Sequence, residues 1–484
     1  MDLFRNQLRT GLKWSFLGQG SSQILSLAIS VGMARLILPE TFGKIAMVNV
    51  IIGFSSIFVD LGFGAAIIQK KNIDNQLLSS VFWINLLIGF MLFVALFSLS
   101  NVVADFYGTP ELSNISKVMS LLFVINAAAT VPGNILSKAM KFKVLAFSSA
   151  MSVLVGGSVG LTLAYHGYGV EAIMSHLLIQ RLVSAIILNL KCGWKPSFYF
   201  SLSKLKEISA FSTNVLANDT LNYWVRNVDT LLIGRYLDSK SLGLYNKSYS
   251  FLTLPLGTIS GSISRVLFPS LSSIQDDLEK VRATYLKIIG SIAIVVFPMM
   301  IGLFVVADKF VLVVLGENWV EAVPIIRVFS ILAMNQSIGT LISNLYLSQG
   351  RSDLMLKVTT PLRVLLISSI VIGLNWGIVG VAISYTLAGF MSSCINHFYA
   401  GRLVKLKLYH FLNSLSPPFF VSLSMGLIVL FSSYLLPVNL SPVWFLTLQV
   451  LVGIISFISL CEILKLRQYL FLKNNLMNYA SKKN

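Results

Sequence analysis

LSSVFWINLLIGFMLFVALFSLSNVV, residues 78–103, carries no charged residue at all. Its apolar residues run continuously, without the spacing of an amphipathic surface helix. An α-helix rises about 1.5 Å per residue, so about 20 residues cross the ~30 Å hydrocarbon core of a bilayer. Within lipid a backbone must satisfy its own hydrogen bonds, so a run of this kind is a helix. Similar runs fill the chain. They predict fourteen spans, at about 14–37, 43–68, 78–103, 114–136, 145–165, 170–190, 209–235, 244–268, 284–306, 321–346, 355–375, 378–400, 415–436 and 442–464. The fold class is therefore an all-α polytopic membrane protein. The loops between spans are too short for a water-soluble domain.

Composition agrees. Of 484 residues, 55% are hydrophobic and 12% charged, about half the charged share usual in soluble domains. The net charge of +18 raises the question of nucleic acid. Retention of Lys and Arg on the cytoplasmic side of membrane proteins accounts for it better, and no nucleic-acid partner is expected. Arg5, Arg9 and Lys13 precede an apolar run from Trp14 to Leu38, which is too long for the core of a cleaved signal and reads as a permanent span. Cys192, Cys394 and Cys461 have neither a disulfide framework nor metal-ligand spacing. A Gly-rich phosphate loop before a Lys, HExxH and a Cys or His cluster are all missing, so the chain reads as a transporter rather than an enzyme, with no metal. The Pro417–Pro418 pair is expected to open span thirteen. The acidic run IQDDLEK (274–280) reads as a solvated helix start rather than a cation site.

Loop charge tests the span count. With a cytoplasmic N-terminus, the termini and the loops after even-numbered spans hold twenty-four Lys and Arg, among them Lys70, Lys71, Lys191, Lys195, Lys204 and Lys206. The opposite side holds Lys44, Lys117, Lys240 and Lys309. A missed span would scramble that alternation, so both termini are expected in the cytoplasm.

An internal repeat divides the chain. Arg35 and Gly43 in ARLILPETFG match Arg235 and Gly243 in GRYLDSKSLG, 200 residues on, at the outward ends of spans one and seven. GYGVEAI (167–173) resembles GIVGVAI (377–383) at the starts of spans six and twelve. Six spans per copy give both copies the same orientation. The expected organisation is an N-lobe at 1–195, a C-lobe at 196–410 and two additional helices with a cytoplasmic tail at 411–484. Two pseudo-symmetric six-helix lobes suit alternating access.

Chemistry belongs where charge is expensive, since an ionisable side chain at the bilayer centre costs roughly 2.5–3.5 kcal/mol on insertion scales. Span seven stands out. Asn214, Asn218, Asn222, Arg226 and Asp229 recur at spacings that place them on one stripe of a helix. That stripe cannot face lipid. Arg226 and Asp229 are close enough along the helix to pair, which would make them structural; otherwise Arg226 has donors to spare for an anion. Arg181 and Arg363 lie within spans six and eleven. Lys247, Arg265 and Arg327 lie near span ends, where snorkelling competes with substrate binding. Asp60, in FVDLGFG, is an acid inside span two and leaves room for proton or sodium coupling; no other cofactor is indicated. Arginines outnumber acids in this set, so the expected cargo is an anion, and arginine forks match phosphate best.

VRNVDTLLIGRYLDSKSLGLYNKSYSFLTLPLGTISGSISRVLFPSLSSIQDD (225–277) resembles the central signature of Wzx-type bacterial polysaccharide exporters, closest to the colanic-acid exporter group. ARLILPETFG (34–43), FVDLGFGAAIIQKK (58–71) and LGENWVEAVPIIRVFSI (315–331) are similar to the same group. The resemblance extends over about 8–410. It implies the multidrug/oligosaccharidyl-lipid/polysaccharide (MOP) superfamily and a MATE-like fold. It implies a flippase that moves undecaprenyl-diphosphate-linked oligosaccharide, for O-antigen or exopolysaccharide assembly, from the cytoplasmic to the periplasmic leaflet. Expected partners are that lipid-linked oligosaccharide, membrane lipids, and a polysaccharide polymerase with its chain-length regulator. A small-molecule antiporter on the same architecture is the rival reading, and a membrane-embedded polymerase a weaker one.

Overall fold

The computed structural model describes the backbone of residues 2–255, 261–437 and 440–481, and side chains from 18 to 474 except 19, 254–262, 264–266, 438 and 439. Among the described residues the structure is helical, with no strand. The first helices are α1 (Asp2–Leu36), α2 (Pro39–Asp60), α3 (Phe63–Gln69), α4 (Asn75–Ser98), α5 (Ser100–Tyr107), α6 (Leu112–Met119), α7 (Leu121–Lys138), α8 (Phe142–Tyr165), α9 (Val170–Cys192) and α10 (Leu202–Tyr236). Then come α11 (Ser239–Pro255), α12 (Gly261–Ser272), α13 (Leu278–Phe310), α14 (Val323–Gly339), α15 (Ile342–Ser348) and α16 (Ser352–Gly373). The last are α17 (Gly377–Leu403), α18 (Leu408–Leu435), α19 (Pro442–Ile463) and α20 (Arg467–Ser481).

Ten helical stretches among the described residues are long and apolar enough to cross a membrane. One of them, Ser352–Leu403, contains both α16 and α17. The expected first, seventh and eighth spans fall on α1, α10 and the α11–α12 pair, which are outside that set. The fourteen-span reading is consistent with this arrangement.

Local chemistry sets many of the helix ends. Pro39 and Pro442 occupy the first turns of α2 and α19, where a missing N–H costs nothing. Asp74 caps α4 by accepting from the Leu77 N–H at 2.9 Å, and Asp277 caps α13 through the Lys280 N–H at 3.0 Å. The acidic run at 274–280 is thus a helix start. The Pro-Pro pair is not: α18 already begins at Leu408, and Pro417 and Pro418 lie inside it. Prolines are tolerated within membrane helices when neighbouring groups satisfy the freed carbonyls, and here the Gln468 side-chain amide donates at 3.1 Å to the Ser414 carbonyl that Pro418 leaves without its helical partner.

The chain divides into two compact units, 1–243 and 244–484. In the first, α8 packs on α1 and α9, and α7 packs on α4 and α9. Helix α10 packs on α2, α3 and α4, so by contact it belongs with this unit, although the sequence repeat places it at the head of the second lobe. Aromatic side chains explain the attachment: Tyr223 and Trp224 lie 6.0 Å and 4.9 Å from the Phe54 ring, and the Tyr223 hydroxyl donates to the Val50 carbonyl at 2.6 Å. In the second unit α13 packs against α14, α18 and α19, and α17 against α14 and α16.

Candidate functional site

The first unit has a break in a membrane helix. Leu61 (φ 49°) and Gly62 (φ 74°) are both left-handed, and they separate α2 from α3. The chain resumes helix because Asp60 reaches forward, one carboxylate oxygen accepting the Gly64 N–H at 3.0 Å. Space at the break is tight. A Cβ on Gly64 would meet Asn134 Nδ2 at 2.4 Å and Asp60 Oδ2 at 2.9 Å, and one on Gly62 would meet the Ser212 carbonyl at 2.5 Å. Asp60 is half-buried, and Asp219 on α10 lies within electrostatic reach of it. Discontinuous membrane helices of this kind place polar groups and backbone where transporters hold their cargo or coupling ions.

Helix α10 packs against that break and carries the polar stripe beside the packed face. Ser212, Thr230 and Ile233 are buried. Asn214, Asn218, Asp219 and Arg226 are exposed, while Asn222 and Asp229 are half-buried. Asn218 Nδ2 donates to Asp219 Oδ1 at 3.4 Å, and Asp229 Oδ1 accepts the Thr230 N–H at 2.7 Å. A guanidinium on a helix at membrane depth would require water or a charged ligand beside it. Arg181, on α9 of the same unit, is exposed as well.

The remaining candidates belong to the second unit, and the structure treats them differently. Arg363 is half-buried on α16. Arg327 on α14 is ion-paired with Asp308 on α13. Lys247 on α11 is only 6% exposed, its ammonium 5.8 Å from the ring of the fully buried Trp319. Arg265 falls on α12 outside the described side chains. Among the described residues there is no group of three His, Cys, Asp or Glu that could hold a metal ion.

Three participants escaped sequence reasoning. Asp219 lies beside the asparagine stripe; Asn134 and Tyr223 are ordinary polar residues until the fold sets them against Gly64 and Val50. The glycine of FVDLGFG was the available signal, since a small residue next to a buried acid marks a crowded backbone.

Below the break, ion pairs tie α10 to its neighbours. Lys70 pairs with Glu207, and Lys204 bonds both Asp74 at 2.7 Å and Glu207 at 3.6 Å. The Lys204 ammonium holds the Asp74 carboxyl below its ordinary range, and Lys70 does the same for Glu207.

The family model described as polysaccharide biosynthesis protein matches residues 32–324. The chain belongs to that family. Its relatives include the lipopolysaccharide biosynthesis protein WzxC of Escherichia coli K12, 29% identical, with 87% of this chain and 86% of WzxC covered. The teichuronic acid biosynthesis protein TuaB of Bacillus subtilis is 28% identical, with 88% and 89% covered. The fold is that of the lipid II flippase MurJ in an inward closed conformation, with a TM-score of 0.73 at 19% identity over 93% of this chain and 98% of MurJ. A multidrug resistance MATE family transporter of the MOP superfamily, inward-facing, gives a TM-score of 0.63 at 14% identity over 79% and 94%. For this member of the polysaccharide biosynthesis family, the MATE-like fold expected from the sequence therefore holds, and the likeness to MurJ adds to it.

Proposed function

We propose that this protein is a flippase carrying undecaprenyl-diphosphate-linked oligosaccharide from the cytoplasmic to the periplasmic leaflet of the bacterial inner membrane. The observation that carries the reading is Arg226, exposed on a membrane-crossing helix amid Asn218, Asn222 and Asp229. A planar guanidinium takes two phosphate oxygens at once, and asparagine amides hydrogen-bond sugar hydroxyls. The family supports the cargo class, and the likeness to a lipid II flippase supports a fold suited to a lipid-borne headgroup.

In this reading the two repeats, 1–195 and 196–410, rock as alternating-access lobes, with 411–484 appended and both termini in the cytoplasm. Arg226 and Arg181 neutralise the diphosphate in transit, Arg363 assists at the inward entrance, and the lipid tail stays in the bilayer. Asp60, at the helix break, is the group through which a proton or sodium ion couples to transport. A polymerase and its chain-length regulator receive the product.

Complementation of a strain lacking the gene, read as surface polysaccharide, tests the proposal. Arg226→Glu abolishes surface polysaccharide and leaves lipid-linked repeat units facing the cytoplasm, whereas Arg226→Lys retains part of the activity. Normal polysaccharide with Arg226→Glu would overturn the role of this residue. Drug resistance conferred by the chain, without polysaccharide, would favour the antiporter.

A further inference from the structure

We propose that the α9–α10 connection is a preformed docking surface for anionic phospholipid headgroups. The segment KCGWKPSFYFSLSK (191–204) is held from beneath by the first turns of α4. Trp83 Nε1 donates to the Ser197 carbonyl at 2.8 Å, the Ser197 N–H donates to Ser79 Oγ at 3.0 Å, and the Ser201 N–H donates to Ser80 Oγ at 3.1 Å. Trp194 Nε1 donates to Asn75 Oδ1 at 2.6 Å. Ser79 and Ser80 are themselves fully buried. A loop bonded along one edge in this way is shaped before anything binds it.

Its other edge is apolar and basic. Phe198 is 98% exposed, Leu202 64% and Phe200 49%. Lys191, in the last turn of α9, and Lys195 are exposed as well. Soluble proteins do not display such side chains on a rigid loop without a partner. This loop joins two membrane helices, so it lies at headgroup depth, where aromatic rings are favoured and lysines attract anionic lipid. Charge complementarity selects the occupant: rings seat among the upper acyl carbons while Lys191 and Lys195 meet the phosphates. The surface is open rather than enclosing, which suits a bilayer lipid and not a bulky glycan. The inference rests on the proposed orientation only in assigning the inner leaflet; lipid binding itself is independent of transport.

Native mass spectrometry of the full-length protein in mild detergent, titrated with phosphatidylglycerol or phosphatidylethanolamine, provides the test. The wild type retains phosphatidylglycerol in preference. Lys191→Gln with Lys195→Gln weakens that binding by up to roughly thirtyfold, at ~1 kcal/mol per lysine near an anionic surface, and leaves phosphatidylethanolamine unchanged. Phe198→Ser with Phe200→Ser lowers binding of both lipids, and Lys191→Arg with Lys195→Arg restores the preference. Equal phosphatidylglycerol occupancy in the wild type and the glutamine variant would overturn the proposal, as expected if the patch serves a protein partner instead. So would a glutamine variant that loses both lipids alike. Lys191 and Lys195 are exposed, so the glutamine and arginine variants keep the thermal transition of the wild type, while Phe198 also stacks on the Trp83 ring at 5.5 Å and the serine variant is expected to lower it slightly.

Discussion

Gly43 and Gly243 face each other where the first turns of α2 and α11 cross. A Cβ on Gly43 would stand 1.6 Å from the Ser239 carbonyl oxygen, and one on Gly243 would stand 1.9 Å from that of Pro39. The two contacts are reciprocal and 200 residues apart, the offset of the internal repeat. Glycine is required here because each helix start rests on the backbone of the other.

Gly43→Ala and Gly243→Ala should each force the crossing apart and destabilise the protein by about 1–3 kcal/mol, the usual cost of overpacking. The double variant should cost less than the sum, because one displacement relieves both contacts. Gly20→Ala, inside α1 with nothing within 4 Å of the new methyl, is the control and should cost nothing or stabilise by up to about 1 kcal/mol. Thermal unfolding in detergent measures all four; additive losses would argue against a shared crossing.

The break after Asp60 makes a second prediction. Gly62→Ala imposes a left-handed conformation on a residue with a side chain, roughly 1–2 kcal/mol, and drives its methyl at the Ser212 carbonyl. Asp60→Asn keeps an acceptor for the Gly64 N–H and should fold normally. If Asp60 couples an ion to transport, that variant removes the dependence of flipping on the ion gradient in proteoliposomes. Unchanged dependence would assign Asp60 to helix geometry alone.

The ion pairs joining Lys70, Asp74, Lys204 and Glu207 predict a pH dependence. Asp74 and Glu207 are held below their ordinary values of 3.8 and 4.5, so their contribution is present above those values and is lost as pH falls through the lowered ones. Lys204 is raised by Asp74, so its contribution is present below 10.5 and is lost only as pH rises through the raised value. The difference in thermal midpoint between wild type and Glu207→Gln should therefore be level around neutrality and vanish in acid. Exchanging the charges, Lys70→Glu with Glu207→Lys, should recover much of what either substitution loses alone.

Arg327 should behave unlike Arg226. Its partner Asp308 already engages it, both side chains are partly exposed, and the pair contributes no more than about 1 kcal/mol. Arg327→Gln should sustain near-normal surface polysaccharide, where Arg226→Glu abolishes it. Loss of transport without loss of stability in Arg327→Gln would return Arg327 to the substrate path.

Much of this was legible along the chain. Residues 78–103 identify a membrane helix without reference to any other part of the protein, because hydrocarbon obliges every segment within it to satisfy its own backbone. The polar stripe of α10 was legible for the same reason: spacing along one helix is a local property. The start of α18 was not, since Pro417 reads as a beginning until the Gln468 amide, 54 residues on, is seen to serve the Ser414 carbonyl that Pro418 leaves free.

Sequence alone thus determined the fold class and the residues whose charge needs an explanation. Only the tertiary structure decided which of those charges are available. Arg226 and Arg181 are exposed, while Lys247 lies under Trp319 and Arg327 is held by Asp308. It also set Asn134 beside Asp60's helix break and brought Gly43 to Gly243. The reason is physical: the cost of a charge within the membrane depends on which distant segments pack around it, and no single helix contains that information.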